Sequence, residues 1–343
     1  MAATVELFDD LDVVGRDAGA ALGRDARPWM FDRLEWFKLV HAFTPPDGKP
    51  LVVRARSGGA SAWLFLAAEK GRALALSNWY CLRFGPVVDG TDATAPIDEL
   101  VRGLRMAKIS RLFLSPIAED DPLPAALKHA GWVTNRSKAN VNWRVRTKGL
   151  TFEEYWAARP SRLRNTAKRR AKAAGLDLVV HDRFDARAWE DYESVYNASW
   201  KPAEGSPELM RIMAQQEGAA GTLRLGLAYH EGQPVAAQLW VIEHGIATIH
   251  KLAYREDAKQ QSPGTVLSME MYRRAIDEDK VELIDFGIGN DGYKADWMSE
   301  CVPLYALTAY DPRSLRGLIG IGRAAAAKLV GFAGSRYARL RQG

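Results

Sequence analysis

Cysteine is scarce: 343 residues contain two, Cys81 and Cys301, far apart in the chain. Two thiols cannot build the disulfide framework of a small secreted domain, and no Cys-x-x-Cys spacing offers a metal knuckle. No apolar run reaches the roughly 18 residues that a membrane-spanning helix needs. No segment recurs with a period of about 20–50 residues, which excludes solenoids and propellers. The first residues carry Glu6, Asp9, Asp10 and Asp12 ahead of any apolar run, unlike a secretory leader. The expected location is the cytoplasm. Acidic residues are missing from two stretches. One holds Arg159, Arg162, Arg164, Lys168, Arg169, Arg170 and Lys172; the other runs from Arg313 to the C-terminus. Such local runs point to an anionic partner more than the net charge of +5 does.

What is present is the profile of a globular protein, with 47% hydrophobic and 26% charged residues. The length fits two domains of about 150 residues each. Residues 1–28 read as a strand and loop. Helical spacing follows at Phe31, Leu34, Phe37, Leu39 and Val40, then strands at 51–56, 61–69 and 73–76. A helix at 97–106, a strand at 110–114, a short helix at 122–129 and a strand at 132–146 complete an α/β unit without a catalytic constellation. A boundary is expected at 148/149. Thr151-x-x-Glu154 is a capping box. The basic helix 162–174 stops at Gly175.

The second half is more orderly. A strand at 176–182 precedes a helix capped by Asp185 and another opened by Ser206-Pro207. Three strands follow at 222–230, 234–243 and 246–254. Glu231-Gly232 and His244-Gly245 stand between them, where tight hairpins want residues that tolerate positive φ. A loop, a helix at 264–279, a strand at 281–286, a Gly/Asp-rich loop, a short helix around 293–298 and a strand at 303–310 complete the order.

Gln261-Ser262-Pro263-Gly264-Thr265-Val266 opens the long helix. It resembles the pyrophosphate loop of the GNAT acyltransferases, whose pattern is Gln/Arg-x-x-Gly-x-Gly/Ala; Val266 departs from it at the last position. Residues 150–311 also resemble the BioF2-like acetyltransferase domains, the CelD proteins and the Fem-type aminoacyltransferases. The shared features are Ala237-Gln238-Leu239-Trp240, Lys251-Leu-Ala-Tyr254, Ser262-Pro-Gly-Thr265, Asp285-Phe-Gly-x-Gly289, Asp291-x-Tyr293-Lys294 and Trp297. The resemblance implies an α/β mixed-sheet fold with two GNAT-like copies in tandem. The degenerate copy would occupy 1–148, the acyltransferase domain 149–311 and a basic amphipathic tail 312–343.

It further implies acetyl-CoA or a longer acyl-CoA as co-substrate, with no metal. A helix N-terminus after a tight turn offers amides and partial positive charge to a diphosphate. The Ser262, Gly264, Thr265 and Val266 amides and the Gln261 side chain are the expected contacts, with Leu252 and Tyr254 along the pantetheine arm. Relatives use a tyrosine on the last short helix as the acid that protonates the leaving thiolate, which here is Tyr293. His250 and Asp285 are the candidate bases; a histidine titrates near neutral pH, and ligands collect at strand carboxyl ends. Gln238, Trp240, Asp291, Lys294 and Trp297 are candidate acceptor contacts.

The expected activity is acyl transfer to an amine. The acceptor would be an amino sugar, a lipid-linked envelope or exopolysaccharide precursor, or a sphingoid base. Two alternatives stand beside it: an aminoacyl-tRNA-dependent ligase of the Fem type, and a non-catalytic scaffold in a polysaccharide complex. Nucleic acid is otherwise disfavoured, because the basic run lacks interleaved aromatics. The tail places Leu315, Leu318, Ile319, Leu329, Val330, Tyr337 and Leu340 in one stripe apart from most of its basic residues. That pattern suits a helix lying peripherally on the anionic inner membrane.

Overall fold

The structure, a computed structural model, describes residues 3–173 and 175–326. The chain divides into two compact units. One holds the described residues up to Ala139 and from Leu304 onward; the other is Asn140–Pro303. The strands Val133–Arg146 and Glu300–Tyr310 each carry residues of both units. The division falls within the strand Val133–Arg146, a little ahead of the 148/149 boundary expected from the sequence.

In the first unit the strands run in the order Thr4–Phe8, Lys49–Ser57, Ala60–Glu69, Arg72–Ala75, Arg111–Ile117 and then residues 305–310. Neighbours are antiparallel except Arg72–Ala75 against Arg111–Ile117. The lead-in is not strand and loop alone. Asp10 caps a helix at Leu11–Ala18, its carboxylate accepting from the Asp12 and Val13 amides. Eight residues with a glycine inside gave too short a periodic signal to read.

In the second unit the order is residues 142–146, Leu283–Ile288, Ile246–Tyr254, Gln233–Glu243, Leu223–His230 and Leu176–His181. The three-strand meander is antiparallel. Both hairpin turns use the expected pairs, Glu231-Gly232 and His244-Gly245, all four residues at positive φ. Two-residue turns of that hand match the twist of the strands they join. The capping box forms as read, with Thr151 accepting from the Glu154 amide and Glu154 from the Thr151 amide.

Helix Pro263–Asp277 packs on one sheet face and helix Ala186–Asn197 on the other. The core between sheet and long helix is aromatic. Trp240, fully buried, meets the Tyr272 ring edge-on at 5.1 Å, and Tyr272 stacks on Tyr155. Gly226 sits where any Cβ would strike Met271 of the long helix, so helix and sheet approach closely there. Helix Ser161–Ala173 lies against Pro263–Asp277 through Leu163 and Ala167.

Truncating Trp240 to alanine removes the centre of this core and should lower unfolding free energy by about 3–5 kcal/mol in urea titrations. A loss under about 1 kcal/mol would mean that the core collapses around the gap.

Candidate active site

Two neighbouring strands part company in the second unit. Ile246–Tyr254 and Leu283–Ile288 run parallel, paired through Ile246/Leu283, Ala247/Ile284 and Thr248/Asp285, and no further. Each strand bends at that level for its own reason. In the register against Gln233–Glu243, Leu239 faces Lys251 while Trp240 faces Ile249, so His250 is the extra residue of a β-bulge. Bulges bend a strand and increase its twist. On the other strand the Asp285 carboxylate accepts from the Gly287 amide at 2.8 Å, and Gly287 takes φ 72°, a conformation that side chains resist.

A cavity of about 580 Å³ opens beside the parted ends, a size suited to a small-molecule site. Leu252 and Tyr254 come from one strand and Phe286 from the other. Gly264, Thr265 and Ser268 come from the long helix, and Asp291, Gly292, Tyr293, Asp296 and Trp297 from the segment after the sheet. Arg162, Leu163 and Thr166 supply one turn of the basic helix, and Trp200 a loop. Seven of the expected site residues therefore meet at one cavity: Leu252, Tyr254, Gly264, Thr265, Asp291, Tyr293 and Trp297.

The others lie elsewhere. Gln238 is fully buried and ties sheet to helix, donating to Ser268 Oγ at 2.7 Å and to the Gly264 carbonyl, while accepting from Trp240 Nε1. Trp240 is sealed in the core. Both are therefore supports for the site, not acceptor contacts. Lys294 is buried, and its ammonium donates to the Phe286, Gly287 and Ile288 carbonyls. It fastens the strand end to the short helix Lys294–Trp297. Burial lowers its pKa, with Asp291 and Asp285 opposing. Asp285 is buried, accepts from Asn142 Nδ2 at 2.7 Å as well as from Gly287, and does not line the cavity. Its carboxylate shapes the bend. His250 does not line the cavity either. Burial, aided by the Lys251 charge, pushes its pKa down to about 3, so it is neutral at physiological pH and a weak base.

The turn into the long helix also differs from expectation. Residues 256–261, read as loop, form a 3-10 turn, and Ser262 takes a left-handed conformation. The Ser262 amide donates to the Lys259 carbonyl; the Thr265 and Val266 amides donate to the Ser262 carbonyl. Three of the four amides proposed for a diphosphate are thus engaged inside the turn, and Gly264 is the exception. Glycine suits position 264 because the Tyr254 ring stands 3.1 Å from where a Cβ would be, with Trp200 packed on that ring at 4.4 Å between centroids.

Tyr293 stands at the cavity rim, 41% exposed, edge-on to Phe286 at 5.8 Å. Its pKa is raised, first by burial of the phenol and then by the Asp291 and Tyr254 charges. Asp296 pairs with Arg162 at 2.9 Å. The Trp297 carbonyl accepts from Tyr155 and Arg159. Lys201, next to Trp200, was not singled out in the sequence. Its pKa is lowered to about 8, by burial first and then by the Lys251 and Lys294 charges, with Glu204 and Asp291 opposing. Lys251 itself pairs with Glu204 at 2.7 Å.

Residues 158–295, which carry all of the lining except Asp296 and Trp297, match the family model described as acetyltransferase (GNAT) domain. This segment is a GNAT domain. Solved structures extend the likeness over most of the chain. FemX superposes with a TM-score of 0.58 at 11% identity, over 83% of this chain and 97% of FemX. A tandem GNAT protein from the clavulanic acid biosynthesis pathway gives 0.52 at 15% identity, over 91% and 99%. The C-terminal domain ascribed to a lysylphosphatidylglycerol synthetase of Agrobacterium fabrum gives 0.53 at 15% identity, over 77% and 85%. At these identities the likeness is one of fold, and that fold is the tandem GNAT arrangement. No curated protein matches the chain in sequence.

The His250 environment sets a pH signature. Unfolded, a histidine takes a proton near pH 6.5; folded, His250 waits until about 3. Between those values the unfolded state binds the extra proton, so stability falls as pH falls. His250→Asn should remove that part of the slope of unfolding free energy between pH 6.5 and 4. Identical slopes for variant and wild type would show that His250 titrates normally.

Proposed function

We propose that the chain transfers an acyl group from acyl-CoA to an amine. The observation that carries this reading is the end of strand pairing at Thr248/Asp285 with a cavity opened beside it. The thioester lies along Leu252 and Tyr254, where backbone no longer committed to the parallel neighbour can meet it. The diphosphate sits at the N-terminus of Pro263–Asp277, using the Gly264 amide and the partial positive charge of the helix end.

The chemistry needs a proton removed from the amine and one delivered to sulfur. Asp291 and Tyr293 both face the cavity and interact electrostatically. Asp291 takes the proton of the incoming ammonium. The free amine attacks the thioester carbonyl, the C–S bond breaks, and the Tyr293 phenol protonates the departing thiolate. The nitrogen that has become an amide then gives its second proton to the Tyr293 phenolate, and Asp291 releases the ammonium proton to solvent. The raised phenol pKa keeps the phenol proton in place until a thiolate demands it. Asp285 and His250 leave the list of bases and become residues that set the strand geometry.

Arg162 lines the cavity at one end of the acid-free basic helix, which favours an acceptor bearing an anionic group. The acceptor classes are those that the family resemblance suggests: an amino sugar, a lipid-linked envelope precursor or a sphingoid base. One observation favours a second reading. The engagement of the Ser262, Thr265 and Val266 amides weakens the diphosphate cradle, which would suit a Fem-type donor, aminoacyl-tRNA.

Calorimetric titration with acetyl-CoA and a long-chain acyl-CoA separates the two. Saturable binding of either ester is expected, and Tyr293→Phe should then lower kcat by about 100-fold with little change in KM. No binding of any CoA ester, together with tRNA-dependent incorporation, would replace this reading with the ligase.

A further inference from the structure

The C-terminal helix of the first unit is mounted inside out. Residues 315–326 are helical. Gly317 and Gly320 face the unit: a Cβ at 317 would collide with the Asp311 carbonyl, and one at 320 with the Tyr310 ring. Glycine disfavours helix by about 1 kcal/mol relative to alanine, so these two are explained by close packing. The large apolar side chains point away. Leu315 is 75% exposed, Leu318 53% and Ile319 48%. Their spacing of i, i+3 and i+4 puts them on one stripe. A helix that settled on its own domain for hydrophobic reasons would bury leucine and expose glycine.

The mounting is specific. Asp311, held by Arg105 at 3.1 Å, accepts from the Arg313 amide. The Ser314 hydroxyl accepts from the Gly317 amide at 3.0 Å, and Arg316 donates to the Lys70 carbonyl at 2.6 Å. Arg313, in the turn before the helix, and Arg323, on the helix itself, are exposed, and the sequence from Arg313 to its end contains no acid. The residues Leu329, Val330, Tyr337 and Leu340 that continue the stripe in sequence lie outside the described residues.

We propose that this face docks on an anionic phospholipid surface. The leucines enter the acyl boundary and the arginines meet lipid phosphates. Charge decides against a second copy as the occupant, since a twofold contact through the stripe would bring the same arginines together. No described helix is long and apolar enough to cross a membrane. The docking is independent of the acyl-transfer reading. It would hold the chain where lipid-borne acceptors are found.

The test is co-sedimentation of the full chain, without CoA, on phosphatidylcholine vesicles with and without phosphatidylglycerol. Binding is expected on the anionic vesicles alone and should weaken as salt rises. The triple variant Leu315→Ser, Leu318→Ser, Ile319→Ser should bind them about 100-fold more weakly. Arg313→Gln with Arg323→Gln should cost about ten-fold. Both variants should keep the wild-type melting temperature, because the altered side chains face solvent. Equal binding by the triple variant, or no binding by the wild type, overturns the proposal. So does a wild-type dimer in sedimentation equilibrium that the triple variant turns into monomer.

Discussion

One extra residue in one strand governs the site. The bulge at His250 interrupts the register between Ile246–Tyr254 and Gln233–Glu243, two residues beyond Thr248, the last to pair with Leu283–Ile288. A bulge bends the strand that carries it, and the facing strand turns at the same level through Asp285 and Gly287. Two independent bends leave parallel strands that begin as neighbours and end apart. Everything assigned to the cavity follows from that divergence, because Leu252, Tyr254 and Phe286 would face paired backbone if the strands stayed together.

The electrostatics serve the same geometry. A buried ammonium is costly unless its donors are satisfied, and Lys294 meets three carbonyls at the end of the turning strand. Asp285 completes the arrangement from the other side, taking the Gly287 amide and the Asn142 side chain. These groups hold the opening in shape and do not line the cavity themselves. The groups that do line it are different: Asp291 and Tyr293 at the rim, and Asp296 paired with Arg162. The division between groups that build the opening and groups that face it reassigns His250, Asp285, Lys294, Gln238 and Trp240 to the first kind.

Much of the fold was legible because its turns and caps carry specific chemistry. Glu231-Gly232, His244-Gly245, Gly175 and the Thr151/Glu154 box each sit where the backbone requires them. Tyr293 and Asp291, which stand close in sequence to a recognisable pattern, do line the cavity. The bulge was not legible. Thr248, His250 and Leu252 alternate as in a regular strand, and one extra residue leaves no mark in composition. The wall built by Arg162, Leu163 and Thr166 was also hidden. In so basic a helix, Leu163 and Ala167 are a thin signal for the face that packs, although their spacing of four was there to see. Trp200 was missed because its partner, the Tyr254 ring, lies far away in sequence. The inverted mounting of residues 315–326 could not be read at all, since a helical stripe shows which residues share a face but not which way that face points.

The most direct test of the central claim is to find where an acyl chain rests. An acyl-CoA carrying a diazirine on the acyl group, photolysed on the full chain and mapped by peptide mass spectrometry, should label residues 250–254 and 286–293, with unlabelled acyl-CoA competing. Labelling confined to other segments, or labelling that excess acyl-CoA leaves unchanged, would contradict the assignment of the parted strands as the thioester site.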